Sequence, residues 1–345
     1  MGITYNSGAV NAVSYNSNAL QRVTYNGNEV WGAENPSVFR FAIDTSDNPE
    51  LYLAITESTA GCVSIDWGDG SPVSSVDAEG FAGHEYSASG NYDVKVKCAA
   101  GETWEPGVMS EGAPYPFDPT GFTRLISIRG GDGMLFSNSS VTTSGVFQGY
   151  TALTSVVVGD GVTSVGRNAF SGCTGLQSVT IPNGVSSIGD YAFNSCSSLA
   201  EITLPSGLST VGNGAFIDCT NLETVIITPG VSALGASMFQ GCTSLETVII
   251  PSNVTTLGNG AFSGCTDLAS VVFSANVAKI PNTSFSGCTS LESFTITLVT
   301  PPTWGIGPFN NVPADCAIYV PSASVATYQA ASGWSSRAAY IQAIP

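Results

Sequence analysis

The sequence predicts a mainly β protein in which an N-terminal β-hairpin segment and a β-sandwich precede a solenoid of 23-residue units with a C-terminal cap. The main observation is a phenylalanine column at a constant spacing of 23 residues: Phe147, Phe170, Phe193, Phe216, Phe239, Phe262 and Phe285. Each unit also carries apolar residues two positions apart, which is typical of strands. A shorter repeat of ten residues opens the chain. A strict period of 23 residues indicates stacked units that pack only on their neighbours.

The unit that begins at Leu176 shows how each repeat is built. Val179 and Ile181 lie two residues apart, so both side chains point to one face of a strand. Pro182 follows and ends strand pairing. A short turn then carries the repeated phenylalanine, here Phe193. Since one unit cannot bury these side chains alone, we expect the units to stack in register, with strands about 4.8 Å apart.

The repeated run L-x-x-V-x-I-P-x-x-V-x-x-I-G-x-x-A-F-x-x-C resembles the BspA-like leucine-rich repeat over about residues 145–300. The resemblance implies a curved right-handed solenoid that serves adhesion and protein binding without catalysis. We assign residues 146–300 to these repeats. Residues 301–345 are assigned to a C-terminal cap, because an open stack must be closed at its ends. Val325, Tyr328 and Trp334 are expected to form the inner face of this cap.

Six cysteines recur with the repeat: Cys173, Cys196, Cys219, Cys242, Cys265 and Cys288. One hypothesis is a ladder of disulfides or metal ligands, and the other is a buried column of free thiols. The second is favoured because cysteines that point the same way in a stack have poor disulfide geometry. The chain also lacks a C-x-x-C or Cys/His cluster of the kind that binds zinc. Tyr150 occupies the same column in the first unit.

Residues 1–35 contain the ten-residue repeat and are interpreted as an anchoring segment. Val-Thr-Tyr-like runs followed by Asn-Ser or Asn-Gly indicate strands joined by tight turns. The candidate anchoring residues are Tyr5, Tyr15 and Tyr25. So short a segment has little core of its own, which favours pairing with another chain. Its Tyr-Asn-Gly hairpins resemble those of bacteriophage structural proteins. The alternative is a local meander packed on the next domain.

Residues 36–100 carry the runs W-G-D-G-S and H-x-Y-x-x-x-G-x-Y-x-V-x-V. Together these runs resemble the PKD family of Ig-like β-sandwiches, which implies a spacer or interaction module. Asp66 and Asp69 are the carboxylates of this motif and suit either a turn or a calcium ion. Cys62 and Cys98 lie near two predicted strands of this domain and could pair across it, but the unpaired thiols of the repeats favour free cysteines. Residues 101–145 are assigned to a linker and the N-terminal cap of the solenoid.

Composition and motifs exclude several classes of function. The chain has 345 residues with a net charge of −17, which argues against nucleic acid or an anionic membrane as a partner. We found neither an apolar stretch of membrane-spanning length nor a signal peptide. His84 is the single histidine and lies in the PKD-like motif, which leaves little basis for a catalytic triad. We therefore expect no enzymatic activity, no cofactor and no functional metal.

The sequence leaves two main hypotheses for function. The first is a structural protein of a bacteriophage virion, as a head fibre, capsid decoration or tail fibre. Its N-terminal segment would contact other virion proteins, and its solenoid would contact a surface protein or glycan, with a homo-oligomer as one arrangement. The second is a BspA-like adhesin of the bacterial cell surface, and an intracellular scaffold is a third reading. The serine, threonine and asparagine residues between the apolar columns are expected to supply the binding contacts.

Overall fold

The computed structural model describes the chain in full over residues 147–158, 162–274 and 276–345. Before residue 147 it describes eleven β-strands and residues 68–73 and 87–88. The side chains of Ile65 and Asp66 are also described there. Tyr5, Cys98 and the side chains of Tyr15, Tyr25 and Cys62 lie outside the described residues. The anchoring contacts therefore stay predictions, and both alternatives for Cys62 and Cys98 stay open.

The N-terminal strands form antiparallel sheets. They are β1 (Val10–Asn16), β2 (Ala19–Tyr25), β3 (Asn28–Gly32), β4 (Val38–Asp44), β5 (Glu50–Ser58), β6 (Cys62–Asp66), β7 (Ser74–Asp77), β8 (Gly80–Glu85), β9 (Asn91–Lys97), β10 (Trp104–Pro106) and β11 (Leu125–Gly130). The first sheet has the order β1-β2-β3, and a second has the order β10-β5-β8. The PKD-type identity of residues 36–100 stays a prediction, because antiparallel pairing of this kind is common to many β domains.

Strand β11 links the antiparallel strands to the solenoid. It pairs antiparallel with β4 on one side and parallel with the first strand of the solenoid on the other, where Ser127 is opposite Ser155. One hydrogen-bonded sheet of seven strands therefore runs from β7 through β6, β9, β4 and β11 into the solenoid strands Ser155–Val158 and Ser178–Thr180.

The solenoid strands alternate between a long sheet and a short sheet. In chain order they are β12 (Ser155–Val158), β13 (Ser164–Val165), β14 (Ser178–Thr180), β15 (Ser187–Ile188), β16 (Glu201–Leu204), β17 (Thr210–Val211), β18 (Thr224–Ile227), β19 (Ala233–Leu234), β20 (Thr247–Ile250), β21 (Thr256–Leu257), β22 (Ser270–Phe273), β23 (Lys279–Ile280), β24 (Ser293–Ile296), β25 (Thr303–Trp304), β26 (Ala317–Val320) and β27 (Ile341–Ala343). The long sheet consists of β16, β18, β20, β22, β24, β26 and β27. The short sheet consists of β13, β15, β17, β19 and β21.

Pairing within the solenoid is parallel and repeats with the sequence period. Glu201 lies opposite Thr224 in the long sheet, and Thr210 lies opposite Ala233 in the short sheet. In β16, β18 and β20, exposed and buried residues alternate, as a strand with one face on the core requires. The predicted mainly β fold with a solenoid is therefore confirmed for residues 155–343.

The repeated phenylalanines form one continuous column inside the solenoid. Neighbouring rings along it are nearly parallel, with centroids 5.3 Å apart for Phe193 and Phe216 and 5.5 Å apart for Phe262 and Phe285. Phe309 continues the stack at 5.7 Å from Phe285, although its sequence spacing is one residue longer. Fully enclosed rings bury a large apolar area, so this column is a main source of stability between turns.

The six repeated cysteines are buried and free, which confirms the second of the two hypotheses. Each thiol also donates a hydrogen bond to the backbone carbonyl of the phenylalanine 26 residues earlier. Cys196 Sγ donates to Phe170 O at 3.2 Å, and Cys242 Sγ donates to Phe216 O at 3.2 Å. The same phenylalanine carbonyl accepts an N–H from its own turn, as Phe170 O does from Cys173. The cysteine column therefore ties each turn to the previous one, which an alanine column would not do.

The buried thiols are expected to resist alkylation. Burial raises the pKa of Cys173, Cys219 and Cys288 to about 12, so little thiolate, the reactive form, is present near neutral pH. Iodoacetamide at pH 8 should leave all six repeat thiols unmodified in the folded protein and modify them once guanidinium is added. Peptide mass spectrometry measures this, and rapid labelling of most of them without denaturant would contradict it.

The same thiols are expected to make the solenoid sensitive to alkaline pH. In the unfolded chain they ionise near a pKa of about 8.5, whereas burial raises the pKa of Cys196 and Cys242 well above the ordinary value. The folded state therefore holds more protons above that pH. The contribution of these buried thiols to the free energy of unfolding is fully present below a pH of about 8.5 and decreases as the pH rises further. Between pH 7.5 and pH 10, the melting temperature should fall further for the native chain than for Cys219→Ala. An equal fall for both chains would contradict this.

A column of side-chain oxygens joins the turns that follow the short sheet. Asp190 Oδ1 accepts the backbone N–H of Asn213 at 2.7 Å, and Asn213 Oδ1 accepts that of Ala236 at 2.8 Å. Asn259 Oδ1 accepts the N–H of Asn282 at 3.1 Å. Ala236 occupies the same column but carries no side-chain acceptor, so the series of side-chain bonds is interrupted at this turn.

Ala236→Asn is expected to stabilise the solenoid by restoring the missing acceptor. A new hydrogen bond of this kind contributes about 1 kcal/mol to the free energy of unfolding. Guanidinium denaturation of the two chains measures the difference. The control is Ala233→Asn, which places the same side chain in β19 outside the column and should give no gain. A lower stability for Ala236→Asn would show that the site does not accept the asparagine conformation of its neighbours.

The C-terminal cap consists of a 3-10 helix (Ser322–Ser324), helix α1 (Val325–Ala330), a second 3-10 helix (Trp334–Tyr340) and β27. Trp334 and Tyr328 are fully buried, and Val325 packs at the edge of the core. Trp334 Nε1 donates to Pro302 O at 2.8 Å, and the Tyr328 hydroxyl donates to Leu298 O at 2.9 Å. The Arg337 guanidinium donates to carbonyls of the last turn, at 2.7 Å for Pro313 O. The cap thus satisfies backbone groups that the end of a stack would leave unpaired.

Candidate binding surface

Many of the outward hydroxyl groups donate hydrogen bonds that join successive turns of the solenoid. Each donates to the backbone carbonyl of the residue 23 positions earlier. One series lies beside the short sheet, at Ser186, Ser209, Ser232 and Thr255. A second lies in the turns before the long sheet, at Ser197, Thr243, Thr266 and Thr289. The expectation that serine and threonine supply the binding contacts stays a prediction, although the hydroxyl hydrogens of these two columns already bridge successive turns.

The outward side of the long sheet is different, because it exposes large apolar side chains. We define the sheet face as the outward residues of β16, β18, β20 and β22 together with the residue that precedes each of β18 and β20. Ile226 is 50% exposed and Ile249 is 63% exposed, and Val272 continues the same column on the next turn, half-buried. The equivalent residue of β16 is Thr203. Adjacent exposed isoleucines in a parallel sheet are not needed for its pairing, so they point to an interaction surface.

Glutamates lie beside the isoleucines. Glu201 is exposed in β16, and Glu223 and Glu246 are exposed directly before β18 and β20. Glu292, directly before β24, has the same position two turns further on. Residues 147–345 contain no other glutamate. All four glutamates of this part of the chain therefore lie in, or directly before, a strand of the long sheet.

The cations of residues 147–345 lie elsewhere. They are Arg167, Lys279 and Arg337. Arg167 pairs with Asp190 at 3.1 Å, and Arg337 binds carbonyls in the cap. Lys279 lies in β23, which pairs with β25 and belongs to neither the long sheet nor the sheet face. The sheet face therefore combines an apolar column with an unbalanced negative charge.

Asp66 and Asp69 serve a turn in the described part of the predicted PKD-like domain. Asp66 Oδ1 accepts the N–H of Gly68 at 3.0 Å, and Asp69 Oδ1 accepts the N–H of Ser71 at 2.9 Å. Gly68 has a φ of +79°, a conformation that favours glycine. Among the described residues, no group of three or more histidine, cysteine or carboxylate side chains is placed to hold a metal ion. These contacts match the turn alternative for the two aspartates.

The sheet face could have been found from the repeat alignment, because its positions are outward by strand alternation. The repeated phenylalanines and cysteines are interior and take no part in it. Ile226 and Ile249 occupy an outward column that holds threonine in the units of Thr203 and Thr295. Apolar residues in an outward column are the sequence signal for this surface.

No helix within the described part of the chain has both the length and the apolar character needed to cross a membrane. Among curated proteins, none matches the chain significantly. Solved structures give partial likenesses. A leucine-rich repeat protein of T. pallidum is 25% identical, with coverage of 60% of this chain and 90% of that one and a TM-score of 0.36. A leucine-rich cell surface protein of Faecalibacterium prausnitzii is 26% identical, with coverage of 50% and 55% and a TM-score of 0.30.

The family comparison covers the solenoid. The model of the BspA-type leucine-rich repeat region matches in six copies over residues 141–269 and 220–302. Repeats of this type are typically non-catalytic and generally surface-associated. The matched residues include the buried phenylalanine and cysteine columns described above. Residues 141–302 of this chain are therefore a BspA-type leucine-rich repeat region.

Proposed function

We propose that the chain is a non-enzymatic adhesion protein that binds its partner through the sheet face. The exposed column of Ile226 and Ile249 carries this proposal. An apolar centre with a charged border is the usual anatomy of a protein-binding surface. The buried columns hold the face rigid, so binding there loses little conformational entropy.

We further propose that the protein acts on a bacteriophage particle, with residues 1–35 as its attachment to other virion proteins. The antiparallel sheet β1-β2-β3 supports this idea, since three short strands make a small unit that gains stability by packing on a partner. Residues 36–100 then separate the attachment from the solenoid. A bacterial cell-surface adhesin is the second candidate, favoured by the general surface association of these repeats.

The double variant Ile226→Thr/Ile249→Thr tests the sheet face. Threonine occupies the same column at Thr203 and Thr295, so the fold should tolerate it. Fluorescently labelled full-length chain is mixed with cells of the host bacterium, and adsorption is measured by flow cytometry. We expect adsorption to fall by about tenfold, as for loss of two apolar contacts. The control is Thr210→Ala/Thr256→Ala on the short sheet, and equal adsorption of both variants would contradict the proposal.

The proposed place of the protein on a bacteriophage particle has a separate test. Virions purified on a density gradient are analysed for the chain by mass spectrometry and by immunogold labelling with an antibody against residues 147–345. A chain that lacks residues 1–35 should fold but be absent from the particles. Detection only in the cell envelope would favour the bacterial adhesin, and normal incorporation of the shortened chain would refute the attachment role of residues 1–35.

A further inference from the structure

We infer that the sheet face binds a protein segment in which lysine or arginine side chains lie beside apolar side chains. This inference rests on the proposed function and specifies the partner of the same surface. It depends on the arrangement of charge and apolar area along the long sheet, together with the charge of the rest of the chain.

The glutamates form a line that a cationic partner would neutralise. Glu223 and Glu246 precede neighbouring strands that pair in parallel, with Thr224 opposite Thr247. Their backbones are therefore about 4.8 Å apart. Two like charges this close disfavour each other, and no cation of the described solenoid residues lies on the sheet face to offset them. A lysine or arginine placed between them gains attraction to both.

The apolar column lies at a fixed distance from the acidic line. Ile226 follows Glu223 by three residues along the chain, and Ile249 follows Glu246 by the same number. Glu223 and Glu246 lie just outside β18 and β20, and three residues of extended chain span at most about 10 Å. A complementary segment therefore needs cations on one side and apolar side chains within about 10 Å of them. Burial of the isoleucines against such a segment would supply affinity, and the glutamates would supply selectivity.

Charge argues against a second copy of the chain as the occupant. Residues 147–345 contain nine acidic and three basic residues, and the whole chain has a net charge of −17. Two copies meeting at their sheet faces would bring six glutamates together, since each face carries Glu201, Glu223 and Glu246. A neutral sugar fits less well too. Sugars are commonly bound by stacking on aromatic rings, yet the outward positions of β16, β18, β20 and β22 hold no aromatic residue.

Binding of three labelled peptides to the full-length chain tests this inference by fluorescence anisotropy. The probes are octapeptides in which two glycines separate three lysines from three valines, three glutamates from three valines, or three lysines from three serines. The lysine–valine peptide should bind with a Kd at least about tenfold lower than either of the others, because it alone offers both kinds of contact. Its affinity should also decrease between 50 and 500 mM NaCl, since salt screens exposed charges.

Charge variants give the matched comparison. Glu223→Gln/Glu246→Gln should raise the Kd of the lysine–valine peptide about fivefold, as expected for two exposed ion pairs, and should flatten its salt dependence. Glutamine already occupies this column at Gln177. Asp218→Asn/Asp267→Asn removes the same charge from turns outside the sheet face and should leave the Kd unchanged. Equal Kd values for the two double variants would overturn the inference.

The remaining outcomes separate the inference from the proposed function. If the glutamate–valine peptide binds as tightly as lysine–valine and Ile226→Thr/Ile249→Thr abolishes both, the face binds but the cationic partner is wrong. If the isoleucine variant binds every peptide as the native chain does, the sheet face itself is wrong. Self-association of the native chain in sedimentation, lost in the isoleucine variant, would identify a second copy as the occupant and also overturn the inference.

Discussion

Phe216→Ala is expected to lower the free energy of unfolding of the solenoid by about 3–5 kcal/mol. The ring is fully buried and lies between Phe193, at 5.3 Å and an interplanar angle of 4°, and Phe239, at 5.5 Å and 12°. Its removal leaves a cavity in the middle of the stack and interrupts contact between successive turns. Because each unit packs only on its neighbours, this defect should divide the array into two weakly coupled parts. Guanidinium denaturation followed by circular dichroism measures the loss.

Phe216→Leu separates ring stacking from burial. Leucine keeps most of the apolar volume, so the loss should be smaller, with about 0.5–1.5 kcal/mol due to the aromatic pairs. Ile226→Thr is the surface control in the same array and should change the stability by less than about 0.5 kcal/mol. A Phe216→Ala chain that unfolds at the same denaturant concentration as this control would show that the column contributes little to the cohesion of the solenoid.

Trp334→Ala is expected to have an effect of similar size, about 3–5 kcal/mol, by opening the C-terminal end. The indole is fully buried and meets Trp304 edge-to-face at 5.1 Å and Tyr328 edge-to-face at 5.2 Å. Its loss also leaves Pro302 O without the N–H that it accepts at 2.8 Å. Since the last turn has no further unit to cover it, unfolding should start there. Hydrogen exchange with mass spectrometry should show the greatest loss of protection in β24 to β27.

Trp334→Phe tests the hydrogen bond of the cap apart from most of its packing. It should cost about 1–3 kcal/mol, the range for a buried acceptor left unpaired. Ser336→Ala is the control in the same 3-10 helix, because its exposed hydroxyl donates only to Gly333 within the cap. If exchange in β26 and β27 is unchanged in Trp334→Ala, the cap does not limit the opening of the array.

The interior of the solenoid was predictable because it depends on periodicity alone. Residues two apart in a strand face the same side, so Val225 and Ile227 were expected inside, and both are buried. The seven repeated phenylalanines follow from the same argument. The break in spacing before Phe309 does not break the ring stack, because the extra residue is absorbed between Ile296 and Thr303, where the pairing register changes from 23 to 24 residues.

The bonds between turns were not predictable from one unit. The Cys219 thiol donates to Phe193 O at 3.2 Å, and the Ser209 hydroxyl donates to Ser186 O at 3.0 Å. In each case the partner belongs to the neighbouring unit, so the bond exists only after the register of stacking is fixed. A list of residue types could not distinguish such hydroxyls from free surface groups. The sheet face differs from these hydroxyl columns, because Ile226 and Ile249 are exposed.

The constant 23-residue register has a consequence for how such an array can change in length. The bonds of Ser209, Asn213 and Cys219 to the previous turn recur with the same sequence offset from one unit to the next. A whole unit inserted or removed between equivalent positions would renew the same bonds with a new neighbour. Duplication or loss of a unit in the gene could therefore lengthen or shorten the protein in steps of about 4.8 Å. Only the outward residues of a new turn would then be free to differ. Partner choice and array length can thus evolve by duplication, with the interior left as it is.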